Sequence, residues 1–136
     1  MNPTLLFVHS PVVGPTTWLA TADVLRGNGF RCLVPDLTGI ATSELVPQPN
    51  VRRQFIAEIP RLPLAYFLER APVTPSRDTL QFAYMRFSPA YDRTADDAER
   101  LGWWVLRRDW DHLRMLTAPD AVADLVAAAV SALRAQ

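Results

Sequence analysis

Apolar positions along this chain fall in short blocks punctuated by proline and glycine, and their lengths alternate between those of strands and those of helices. Thr4 to Val8, ending at His9, is a continuous apolar run of strand length, as in a strand buried on both faces. Gly14 and Pro15 break it, and Thr16 or Thr17 is placed to cap a helix with Trp18, Leu19, Ala22 and Leu25 on one side. Gly27 and Gly29 stop that helix, and Arg31 to Val34 forms a second apolar run closed by Pro35 and Asp36. The pattern is that of a βαβ unit, whose crossover is expected to be right-handed.

From Leu37 to Asn50 the periodicity gives way to Thr, Ser, Pro and Gly, the composition of a loop. Val51 to Glu58 and Leu62 to Arg70 read as short helices separated and kinked by Pro60 and Pro63, and Ala71 to Arg77 reads as a turn. Leu80 to Phe87 resumes as a strand. Thr94 and Asp97 have capping-box spacing for a helix ended by Gly102, and Trp103 to Leu106 is a fourth strand. A loop over Asp109 to Met115 follows. Thr117 and Asp120 repeat the capping-box spacing, with Pro119 near the first helical turn. Val122, Leu125, Val126, Ala129, Val130 and Leu133 then form the clearest helical stripe in the chain.

Alternating strands and helices predict an α/β domain: a small three-layer sandwich with about four mainly parallel strands. At 136 residues the chain is expected to form one domain, 1–136, with the segment 37–79 as a loop and helical excursion. In parallel sheets, ligands bind beyond the carboxyl ends of the strands. That rule selects His9, Asp36, the segment from Ser88 to Asp92, and Asp109 to His112, and places both histidines at one rim.

Composition narrows the chemistry. Fourteen basic residues balance fourteen acidic ones, so no net field draws the chain to nucleic acid or an anionic membrane. All the basic residues are arginines, which removes Schiff-base, pyridoxal-lysine and P-loop chemistry. No apolar stretch is long enough to span a bilayer, and the N-terminus lacks the features of a signal peptide. A lone Cys32 excludes an internal disulfide framework, so a reducing, cytoplasmic setting is expected. Two histidines and scattered carboxylates have no metal-ligand spacing, so neither metal nor cofactor is expected.

The residues Leu5-Leu6-Phe7-Val8-His9-Ser10-Pro11 and Leu33-Val34-Pro35-Asp36-Leu37-Thr38-Gly39 resemble the start of an α/β-hydrolase. Tyr84-Met85-Arg86-Phe87-Ser88 resembles the strand before that family's acid. Asp109-Trp110-Asp111-His112-Leu113-Arg114-Met115-Leu116 resembles the loop bearing its histidine, and Leu62 to Phe67 resembles part of a cap. The resemblance comes in two blocks. Between Gly39 and about Val46 the family's nucleophile strand and elbow are missing, and no G-x-S-x-G occurs.

The resemblance implies that His112 is the catalytic histidine, that Asp92, Asp109 or Asp111 orients it, and that the His9–Ser10 loop shapes an oxyanion site. Ser10, Ser88 and Cys32 are substitute nucleophiles only with a base in reach, and Trp110 is placed to wall a small apolar pocket. The expected function is therefore serine-independent acid/base chemistry on a small, largely apolar carbonyl compound: cyclisation, elimination, isomerisation or water-mediated hydrolysis. The alternative is a non-catalytic degenerate hydrolase that binds a small molecule or another protein. A homodimer could hide the apolar edge of so short a sheet.

Overall fold

The structure, a computed structural model, describes residues 2–10, 13–36, 53, 57, 68 and 79–135. They form helices and short parallel strands, a mixed α/β arrangement. Four strands occur among the described residues, paired as two two-stranded sheets. The chain divides into two compact units: Met1–Leu68 with Leu113–Ala123, and Glu69–His112 with Asp124–Gln136.

In the first unit, β1 (Thr4–Leu6) pairs in parallel with β2 (Arg31–Leu33), Leu5 opposite Cys32 and Leu6 opposite Leu33. The Phe7 amide extends the ladder to the Leu33 carbonyl at 2.8 Å. Between the strands runs α1 (Thr16–Gly27), giving the expected strand–helix–strand unit. The strand is not buried on both faces as expected. Phe7, His9 and Cys32 are buried, whereas Leu6 and Val8 are 61% and 60% exposed and Leu33 is 45% exposed. The Phe7 ring packs on Trp18 of α1 at 5.4 Å, so α1 covers the Phe7 face. An apolar run carries no mark of which face a helix will cover, and the period-2 alternation appears only in the fold.

Neither threonine caps α1. Its N-cap is Pro15, and Thr17 turns its hydroxyl inward to donate to the Gly14 carbonyl at 2.8 Å. The buried face is Thr17, Thr21, Ala22 and Leu25, with Leu19 on the exposed side. The helix ends in a Schellman motif. Gly29 at φ 83° donates to Arg26, and Phe30 donates back to Leu25. Arg26 pairs with Asp23 at 2.6 Å and donates to the Cys32 carbonyl at 2.9 Å, tying the last turn to β2.

In the second unit, β3 (Ala83–Arg86) pairs in parallel with β4 (Trp104–Arg107), Tyr84 opposite Val105 and Arg86 opposite Arg107. A 3₁₀ turn (Pro89–Tyr91) leads into α2 (Asp92–Arg100), which packs on both strands through the buried Ala95 and Ala98. The capping-box reading of Thr94 fails because α2 has already begun at Asp92. The turn before it is capped by Ser88, whose Oγ accepts from the Ala90 amide at 3.4 Å. A second Schellman motif follows α2, with Gly102 at φ 77° donating to Glu99 and Trp103 to Ala98.

The segment expected to be loop as far as Met115 contains the short helix α3 (Arg114–Thr117), which packs on α1. Thr117 therefore lies inside α3 and does not cap α4 (Pro119–Arg134). Val122, Ala123, Leu125 and Ala129 of α4 are buried, and Val126, Val130 and Leu133 are half-buried, as the stripe implies. Of the expected helices over Val51–Glu58 and Leu62–Arg70, the structure describes Arg53, Ala57 and Leu68, all helical and exposed. The rest of them, the loop at 37–50 and the turn at 71–77 lie outside the described residues. No helix among the described residues is long and apolar enough to cross a membrane.

Candidate functional site

The two histidines belong to different compact units. His9 and Ser10 follow β1 in the first, and Ser88, Asp92, Asp109, Trp110, Asp111 and His112 lie in the second.

His9 is buried, with Nδ1 3.0 Å from the Ser10 carbonyl oxygen. A carbonyl only accepts, so that contact requires the proton on Nδ1. Ser10 is exposed. The expected oxyanion loop has fewer amides to offer than its length suggests. Pro11 has no N–H, and the Val13 amide donates to the Ser10 carbonyl at 3.0 Å.

The carboxyl ends of β3 and β4 converge in the second unit. The ladder continues past the strands, with the Arg108 amide donating to Arg86 at 2.8 Å and the Trp110 amide to Phe87 at 2.7 Å. The Trp110 indole lies tilted against Phe87, the residue after β3, with centroids 5.6 Å apart, and is half-buried. Beyond it, His112 is exposed and stacks on Tyr91, centroids 4.7 Å apart and planes 21° from parallel. The imidazole makes no hydrogen bond among the described residues.

Asp92 and Asp109 are engaged by Arg86. Arg86 points its guanidinium into the same corner with its side chain 8% exposed. Nε lies 2.7 Å from Asp92 Oδ1, an ion pair out of line for a hydrogen bond. Nη1 donates to the Asp109 carboxylate and, at 2.7 Å, to the Arg108 carbonyl. The Asp109 hydrogen bond, with help from Asp92, raises the Arg86 pKa further above its already high value, so the guanidinium stays charged. Asp92 and Asp109 thus face Arg86, and neither hydrogen-bonds His112. Asp111 is exposed and is the candidate acid adjacent to His112 in the chain.

Sequence reasoning missed Arg86 because a single arginine in a strand reads as a solvent-facing position. The available signal was its place at the last position of a parallel strand, with acidic residues after both strands. Ser88 is occupied as the cap of the 3₁₀ turn. Cys32 is buried in β2, and burial pushes its thiol pKa up, with Arg26 opposing the shift, so it is a poor nucleophile. No group of His, Cys, Asp and Glu among the described residues is arranged to hold a metal ion.

Comparison with family models, with curated proteins and with solved structures gave no match.

Proposed function

We propose that the chain is a reduced α/β-hydrolase-like domain of three layers, acting as a serine-independent acid/base enzyme on a small, largely apolar carbonyl compound. The observation that carries this reading is the exposed imidazole of His112 at the carboxyl edge of two parallel strands, with its nitrogens unclaimed by hydrogen bonds among the described residues. An imidazole in that place can take or give a proton at a bound molecule. Asp111, its neighbour in the chain, is the candidate acid of this reading, and the Tyr91 ring stacks on one face of the imidazole. A reducing, cytoplasmic setting suits the single buried thiol.

The engagement of Asp92 and Asp109 by Arg86 favours a second reading, in which the rim binds a small molecule without turning it over. Turnover of a panel of small esters, lactones and hydroxy-ketones, measured for the wild type and His112→Ala, separates the two. The enzyme reading expects turnover of at least one substrate, and loss of that activity in a folded His112→Ala protein. No turnover across the panel, or turnover unchanged by the substitution, refutes it.

A further inference from the structure

We infer that Arg86 is the positioning residue of the His112 rim, a buried fork that clamps together the two segments carrying Tyr91 and His112. The inference rests on the reading of His112 as the working group. Asp92 directly follows Tyr91, and Asp109 and the Arg108 carbonyl begin the segment that ends at His112. One guanidinium contacts all three, through Nε on one side and Nη1 on the other.

The backbone ladder does not do this work. Its last described rung joins Trp110 to Phe87, short of both His112 and Tyr91. Past that rung, Arg86 reaches both segments. Asp92 and Asp109 have side chains 50% and 80% exposed, so neither needs an arginine for its own solvation. The arginine is the partner that gave up water. Burying a charge costs stability relative to an apolar residue of similar volume, and fixing a geometry is one use such a charge can have. A lysine at this position keeps the charge but is a single point donor, without the rigid plane that meets Asp92 through Nε and Asp109 through Nη1.

The test is the ring-proton NMR signal of His112, assigned by its loss in His112→Ala. Stacking on Tyr91 displaces these resonances upfield, and Tyr91→Leu gives the unstacked reference. Arg86→Lys should move them most of the way to that reference while the far-ultraviolet circular dichroism is unchanged. Arg107→Lys is the control. Arg107 pairs with Asp96 and Glu99 of α2 without linking Tyr91 to His112, so its loss should leave the resonances in place. Asp109→Asn, a change at an exposed side chain, gives the same reading should Arg86→Lys fail to fold. Unmoved His112 resonances in the folded Arg86→Lys or Asp109→Asn protein overturn the clamp. The readout reports geometry alone. If His112→Ala retains turnover while Arg86→Lys shifts the resonances, the functional reading has failed and the clamp stands.

Discussion

Thr21 shows how a single polar atom can oppose the packing around it. It is fully buried on the inner face of α1, and its hydroxyl has no hydrogen-bond partner among the described residues. Burying an unpaired hydroxyl costs about 1–3 kcal/mol, so Thr21→Val should raise the melting temperature measured by calorimetry. An unchanged or lower value would mean that the hydroxyl is paired. Leu25, one turn further on and equally buried, should show the opposite sign, with Leu25→Ala costing about 2–5 kcal/mol in urea denaturation. Leu25 was legible as core from helical spacing. Thr17 and Thr21 were not, because hydropathy assigns threonine to a surface or a cap, whereas the fold uses its small volume on a close-packed face. Arg86 escaped the sequence for the converse reason: its value lies in two carboxylates, Asp92 delivered by the turn after β3 and Asp109 by the pairing of β3 with β4.

Elements were read more faithfully than their ends. The order strand, helix, strand appears on either side of the central segment, and both helices in those units stop at Schellman glycines. Their caps were misassigned: Pro15 takes the N-cap position expected of Thr16 or Thr17, and Tyr91 the one that the Thr94–Asp97 spacing gave to Thr94. The glycine assignment can be tested. Gly102 has φ 77°, and a methyl group added there would meet open space, so Gly102→Ala should cost about 1–2 kcal/mol from backbone conformation alone. Gly27, the last residue of α1, also has open space but no positive φ, and Gly27→Ala should add roughly 0.5 kcal/mol. Similar effects at the two positions would show that Gly102 is not left-handed. The link between α2 and β4 is electrostatic as well as apolar. Arg107 hydrogen-bonds Glu99 and holds its carboxyl below the usual value of 4.5. Because the folded pKa is the lower one, the contribution is complete above the ordinary carboxylate pKa and is lost as pH falls through the depressed value. Glu99→Gln should therefore flatten part of the acid limb of stability against pH, and added salt should shrink the difference. An acid limb identical in the two proteins would remove this pair from the account.

At the scale of the whole molecule, alternation of elements was legible and their assembly was not. The sequence reading expected one sheet of about four strands, and the described strands pair as two sheets in two compact units. Hydrophobic pattern specifies which residues are strand but carries little about which strand lies beside which, since that is decided by contacts distant in sequence. The rim was legible in the same partial way. The rule of strand carboxyl ends picked out Asp92, Asp109 and His112, and the structure brings all three to one corner, but with Arg86 among the acids and Tyr91 against the imidazole. The central claim is that this rim handles protons through His112 with no serine nucleophile behind it. Intact mass after treatment with a serine-reactive fluorophosphonate tests that claim most directly, with His112→Ala treated in parallel. The account expects both folded proteins to keep their original mass; a stoichiometric adduct on the wild type that disappears in His112→Ala would contradict it.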